Sequence, residues 1–200
     1  EDYLIGLRKF HKLADYLTIN ISSPNTENLR SFHNENELNE LLNLIEKEKK
    51  ILKTTVPIAV KISPDIQDEN INIISDLLLK HNVKAVIISN TTDKNRENLS
   101  NINKLEKGGL SGKPLEKKSN ELINKFYRIL KNQIKIIGVG GVDSGQSVYQ
   151  KIINGASLVQ LYTGMIYQGP RIASKISEEL INILDKEGVK NISDLVGSKN

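Results

Sequence analysis

Asn20-Ile21-Ser22-Ser23-Pro24-Asn25-Thr26, set directly after the apolar run Tyr16-Leu17-Thr18-Ile19, decides how this chain folds. An extended apolar segment that ends in small polar side chains and a proline is how a barrel or an open α/β sheet presents a polar site at the carboxyl end of a strand. Two asparagines, two serines and a threonine within this stretch offer many neutral hydrogen-bonding groups and no charge. Such a set suits a planar polar ring bearing carbonyl and N–H groups, because amides both donate and accept.

Working outward, four further segments share the character of Tyr16–Ile21: Pro57–Ile62, Ala85–Ser89, Ile134–Val139 and Leu158–Tyr162. Each is short and rich in Val, Ile, Leu or Tyr, as strands covered on both faces should be. Helical patterns separate them. Leu38, Leu41, Leu42 and Ile45 mark Glu37–Leu52, and Ile71, Ile74, Leu77 and Leu78 mark Asp68–His81. Leu122, Ile123, Phe126 and Ile129 mark Leu115–Leu130, and Val148 and Ile152 mark Ser144–Ile153. Ile172, Ile176, Leu180 and Ile183 mark Pro170–Leu184, while Leu4, Leu7, Phe10 and Leu13 predict a helix feeding the first strand. Strand alternating with helix means parallel strands joined by right-handed crossovers. Lys94–Lys107 reads as a long polar loop.

A full (β/α)₈ barrel needs about 250 residues, and this chain has 200. Five units and a tail helix cover part of such a barrel, whereas an open doubly wound sheet would be complete with five strands. The motifs favour the barrel, so the expectation is one α/β catalytic domain over residues 1–200, a (β/α)₈ barrel without its first strands.

Hydrophobic residues make up 38% and charged residues 26%, enough for a real core. The net charge of +4 comes from lysines scattered over helical faces, without a basic block interleaved with aromatics. This predicts solvated surface and no nucleic-acid partner. The absence of cysteine excludes disulfides, thiolate metal sites and a cysteine base. No apolar run approaches the roughly 20 residues of a membrane span. Glu1-Asp2-Tyr3 is a poor start for a signal peptide.

Every strand ends in a polar or glycine cluster: Asn20, Ser23 and Asn25; Lys61 and Ser63; Ser89, Asn90, Thr91 and Thr92; Gly138, Gly140 and Gly141; Tyr162, Thr163 and Gly164. In a barrel these ends converge on one face. Lys61 lies inside an apolar strand, where an unpaired charge is costly. It either reaches water from an edge strand or faces an anionic ligand at the barrel mouth. The Gly138–Gly141 turn, followed by Asp143 and Ser144 as helix caps, either aims backbone N–H groups at a phosphate or is a tight turn. Gly108-Gly109-Leu110-Ser111-Gly112 is either simple flexibility or close backbone approach to a flat ligand. His11, His33 and His81 show no metal spacing and are expected at the surface or in local structure.

Six motifs, in order, resemble those of class 2 dihydroorotate dehydrogenases: Asn20–Thr26, Val60-Lys61-Ile62, Ser89–Thr92, Gly108–Gly112, Gly138–Val142 and Gly155–Tyr162. The resemblance runs from about Asp2 to Gly188–Gly197. It implies a flavoprotein barrel that oxidises dihydroorotate to orotate through flavin mononucleotide, in pyrimidine synthesis, and passes electrons to a membrane quinone. By that resemblance Ser23 is the catalytic base. Asn20 touches flavin and substrate, and Asn25, Asn90 and Thr91 hold orotate. Lys61, Ser89, Gly112, Gly141, Tyr162 and Thr163 contact the flavin. Ser89 stands where the family often has threonine, and both carry a hydroxyl.

The family's first strands and its N-terminal helical pair, which carries the quinone tunnel and membrane attachment, have no counterpart in these residues. The resemblance implies peripheral attachment to a bacterial or mitochondrial inner membrane through that missing part. Five strands alone predict an open sheet edge, an exposed apolar interior and no activity in isolation. A non-catalytic flavin- or phosphate-binding piece, or another flavin barrel oxidoreductase, stays open as an alternative.

Overall fold

The computed structural model describes residues 1–94, 96–97 and 99–200. Five strands, β1 (Leu17–Asn20), β2 (Ile58–Ile62), β3 (Ala85–Ile88), β4 (Lys135–Val139) and β5 (Leu158–Gln160), form one all-parallel sheet in the order β1-β2-β3-β4-β5. A doubly wound sheet reverses direction at a switch point. This one never does, so it is an arc of a barrel. Helices α1 (Asp2–Phe10), α2 (Glu35–Ile51), α3 (Asp68–Lys80), α4 (Glu116–Leu130), α5 (Gly145–Ile153), α6 (Thr163–Gln168) and α7 (Ile172–Glu187) complete it.

The period-two alternation of the strands sorts their side chains onto two faces. Ile58, Val60 and Ile62 of β2, Val86 and Ile88 of β3, and Ile136 of β4 point outward into the main core. There they meet Leu38, Leu42, Ile74, Leu78, Ile123 and Phe126 from the helices. Ala59, Ile87 and Ile137, with Ala85 and Val139, form a separate cluster on the concave face. Asn20 pairs with Lys61, and Lys61 with Ile87, so both polar residues lie on that concave face at one level. Across the arc, Gln160 Nε2 reaches Tyr16 Oη at 3.5 Å. Leu158 and Tyr16 are exposed there.

The strands are shorter than the sequence suggests by one or two residues, because apolar residues such as Tyr16, Ile21, Ile134 and Leu161 continue the pattern past the ladder. The short helix α6 reads as a glycine turn in sequence, being too brief for a helical period. The polar loop Lys94–Lys107 includes Asn95 and Asn98, which lie outside the described residues. It contains a 3₁₀ turn (Ile102–Leu105) and is closed at its base by the Thr92–Leu110 bridge. Ser144 caps α5: its hydroxyl accepts from Ser147 N–H, and Ser147 Oγ accepts from Ser144 N–H. A bidentate pair, Arg8 Nε and Nη2 to Glu48 at 2.8 and 2.9 Å, seats α1 on α2.

Lys151 of α5 is fully buried behind β4, in space left by the missing side chain of Gly138. Its ammonium donates to Ser119 Oγ and Asn120 Oδ1, both at 3.0 Å, and among the described residues no carboxylate forms an ion pair with it. Burial lowers its pKa to about 8, against a smaller raising effect from Glu116. The folded state therefore releases this proton before the unfolded chain does, and stability from this group rises as pH climbs from about 8 towards the ordinary lysine value. Lys151→Met is expected to stabilise the protein at pH 7 by about 1–3 kcal/mol and to remove that rise. Denaturant midpoints at pH 7 and pH 10 check this; a lower midpoint for Lys151→Met at pH 7 would refute it.

Candidate active site

The carboxyl ends of β2, β3, β4 and β5 open onto a cleft of about 880 Å³. Lys61, Ser89, Asn90, Thr91, Gly112, Gly141, Tyr162 and Thr163 all line it. They come from five separate stretches of chain, which the parallel sheet and the Gly108–Gly112 loop bring together.

Lys61 is half-buried on the concave face. Burial pushes its ammonium pKa below the ordinary value, and it has no hydrogen-bond or ion-pair partner among the described residues. β2 is paired on both sides, so the lysine is not on an edge strand. Its charge points into the cleft, where an anionic group would stabilise it.

Ser22 joins the ends of β1 and β3. Its Oγ lies 2.6 Å from Asn20 Oδ1 and accepts from Asn90 Nδ2 at 2.8 Å. Asn90 Oδ1 accepts Thr91 N–H at 2.9 Å, and Asn20 Oδ1 also faces Ser22 N–H at 3.4 Å. Both amide oxygens are thus occupied by protein donors. Asn90 lines the cleft, while Asn20 lies exposed on the concave face beside Lys61, outside that lining; in both, a local backbone N–H fixes the oxygen and so the direction in which the Nδ2 group points.

Ser23 and Asn25 sit on the adjoining loop, outside the lining of the cleft. Ser23 Oγ accepts Asn25 N–H at 3.2 Å, and Asn25 is exposed. The Gly108–Gly112 loop lies against Thr91 and Pro24: a side chain at Gly109 would strike Thr91 and come within 3.2 Å of Pro24. Thr163 Oγ1 donates to Ser111 Oγ at 2.9 Å and ties the same loop to the start of α6.

The turn after β4 has positive φ at Gly140 (111°) and Gly141 (77°). A Cβ at Gly141 would lie 2.7 Å from Glu116 Cα, so packing alone demands this glycine. Among the described residues no group of His, Asp or Glu is placed to hold a metal ion, and no helix is long and apolar enough to cross a membrane.

Sequence reasoning missed the charged clamp behind these loops. Asp65, after β2, accepts from Thr92 Oγ1 at 2.6 Å and pairs with Lys118 of α4. Arg30 Nη2 lies 3.2 Å from Asp65 Oδ2, close enough for an ion pair but off the line of a hydrogen bond. Arg30 also reaches Asp93 at 3.0 Å and donates to the carbonyl of Thr91. Burial alone would raise the Asp65 carboxyl; the hydrogen bonds from Lys118 and Thr92 overcome it and hold the group below the usual carboxylate range. His33, expected at the surface or in local structure, is buried and spans two loops. Its Nε2 accepts Ser63 N–H at 3.1 Å while Nδ1 faces Arg30 O at 2.9 Å. Burial lowers its pKa, as suits a neutral ring with one donor and one acceptor nitrogen.

The dihydroorotate dehydrogenase family model matches residues 1–184. The chain is 41% identical over its whole length to the dihydroorotate dehydrogenase (quinone) of Trichodesmium erythraeum, covering 54% of that protein. It is 46% identical over 88% of its length to the corresponding protein of Nitrosomonas europaea, covering 52% of it. The crystal structure of Eimeria tenella dihydroorotate dehydrogenase in complex with ferulenol superposes with a TM-score of 0.95 at 35% identity. That match covers 99% of this chain and 57% of that one. The chain thus spans about half the length of the relatives it matches.

Proposed function

This chain belongs to the dihydroorotate dehydrogenase family, and from that premise we propose that it forms the carboxyl-terminal five βα units of a (β/α)₈ barrel that oxidises dihydroorotate to orotate through flavin mononucleotide. The observation that carries the reading is the convergence of an unpartnered ammonium, Lys61, and two donor-presenting amides, Asn20 and Asn90, at adjacent strand ends beside a glycine-lined cleft. The closed barrel would carry the activity, in de novo pyrimidine synthesis.

The donor set fits flavin mononucleotide. The cleft runs from the half-buried cation Lys61 to the glycine turns at Gly112 and at Gly140 and Gly141. Lys61 would face the electron-rich pyrimidine end of the flavin, with Ser89 and the backbone at Gly112 beside the ring. Gly141, Tyr162 and Thr163 would hold the ribityl phosphate, where N–H groups at the α6 start and the β4 turn are available. The flavin, when bound, supplies the acceptor for the hydride leaving C6 of the substrate.

The protein's own part is to hold the ring and take a proton. Asn20 and Asn90 donate to substrate carbonyl or carboxylate oxygens, and Asn25 and Thr91 complete the grip. Ser23 Oγ, once its own hydroxyl proton has passed to water, takes the proton from C5 as the hydride leaves C6. The Asn25 N–H already donates to that oxygen, which favours its negative form. Pro24 stiffens the loop, and Gly109 lets the next loop lie against it and limit water. The electron acceptor is proposed to be a quinone, as in the names of the relatives. That acceptor implies peripheral attachment to a bacterial or mitochondrial inner membrane.

Lys61→Ala is expected to lower the rate of flavin reduction or the retained flavin at least tenfold, since it removes the cation facing the cofactor. Unchanged flavin content together with an unchanged reduction rate would sink that role.

The decisive experiment is spectroscopic. Protein carrying the closed barrel should be yellow and should bleach on anaerobic addition of dihydroorotate. A second reading, a flavin- or phosphate-binding piece without catalysis, is favoured by the sheet's unpaired edges at β1 and β5. It predicts flavin absorbance that dihydroorotate leaves unchanged.

A further inference from the structure

We infer that Ser22 is a positioning residue that sets which face of two substrate-binding amides the ligand meets; this rests on the dehydrogenase reading above. Ser22 is fully buried, so its hydroxyl touches no ligand. It sits between two asparagines: Asn20, at the end of β1 beside Lys61 on the concave face, and Asn90, 68 residues beyond Ser22 after β3 and lining the cleft. The chain of bonds has one direction only. Thr91 N–H must donate, so the Asn90 atom it meets at 2.9 Å is the amide oxygen, and Asn90 Nδ2 faces Ser22. Ser22 Oγ accepts that bond and donates its own O–H to Asn20 Oδ1 at 2.6 Å. Ser22 N–H, 3.4 Å from the same Asn20 atom, again requires an oxygen there. Two backbone N–H groups therefore fix both amide flips, and the serine hydroxyl locks one to the other.

The consequence is chemical selectivity. With both carbonyls turned to protein donors, Asn20 keeps two N–H donors and Asn90 keeps one for the ligand. The pair reads acceptors: ring carbonyl and carboxylate oxygens. If Ser22 lost its hydroxyl, Asn20 would lose its strongest partner and Asn90 Nδ2 would face a cavity. Either amide could then turn its oxygen towards the ligand's oxygens, which repels them.

The test compares Ser22→Ala with unmodified flavin-loaded protein by orotate titration and steady-state kinetics. Orotate affinity is expected to fall about ten- to hundredfold, the range for losing one or two buried, oriented hydrogen bonds. KM for dihydroorotate should rise in parallel, with kcat changed less, and flavin occupancy and thermal midpoint should stay close to those of the parent. Ser22→Cys keeps the side chain small but offers only a weak donor, so it should show the same loss if Ser22→Ala does not fold. A double variant with Asn90→Ala should lose less than the product of the two single losses, because the serine acts through the amides. Orotate affinity within twofold of the parent in either folded Ser22 variant, or multiplicative losses in the double variant, would overturn the role. A parent protein that neither binds orotate nor bleaches with dihydroorotate would overturn the dehydrogenase reading itself, which keeps the two failures apart.

Discussion

Ser23→Ala is expected to lower turnover by roughly 10²–10⁴-fold, the usual range for removing a general base, with flavin content and orotate affinity nearly unchanged. The size follows from what this loop offers in its place. Among the described residues no histidine or carboxylate hydrogen-bonds to Ser23; its oxygen accepts only the Asn25 N–H. Alanine would leave C5 of the substrate with no hydroxyl beside it. Because the side chain is only half-buried and loses a single local bond, folding should be little affected. The loss should fall in the rate of flavin bleaching under single turnover rather than in KM. A serine base also needs a high pH to be partly ionised, so bleaching by the parent should quicken as pH rises. Near-normal turnover of Ser23→Ala at neutral pH would dispose of the assignment.

The second large effect is on stability. Asp65→Ala is expected to cost about 3–5 kcal/mol, because it leaves cations without their buried counter-charge. The Asp65 side chain is only 3% exposed, and Arg30 and Lys118, at 25% and 30%, both converge on it. Removing it sets two positive charges against each other. It also frees Thr92, so the loops after β1, β2 and β3 lose their common anchor. Denaturant midpoints measure the cost, and a loss under about 1 kcal/mol would show that the pair merely offsets its own desolvation. The sign with pH is set by the lowered carboxyl value. The unfolded chain takes up this proton first as pH falls below about 4, so the group's contribution is present above that value and is lost below it. Asp65→Asn should lack this acid-side decrement.

Much of the site was legible because its residues follow the strands. Lys61 stood out as one cation inside Ala59–Ile62, and register then placed it beside Asn20. Asn90, Thr91, Gly141 and Thr163 stood out as polar or glycine breaks after apolar runs, and all four line the cleft. Ser22 did not stand out from Ser23, because adjacent serines carry the same chemistry and only burial separates them. Asp65 carries no local signal beyond its place after Pro64. Its partners Arg30, Thr92 and Lys118 are scattered across three other segments, and no local spacing links them. Lys151 looked like one more solvated helix lysine until Gly138 proved to leave room for it beneath β4.

The amino-acid pattern by itself determined the alternation of five buried strands with amphipathic helices, and hence a parallel sheet with polar groups at one end. That information is local, held in periods of two and about 3.6 residues. Only the tertiary structure decided that the strands run in unbroken order around an arc. It alone decided which polar groups share a proton or a charge. Such partners meet across tens of residues, and the low-dielectric interior rewards a satisfied pair and penalises an orphan whatever their separation in the chain.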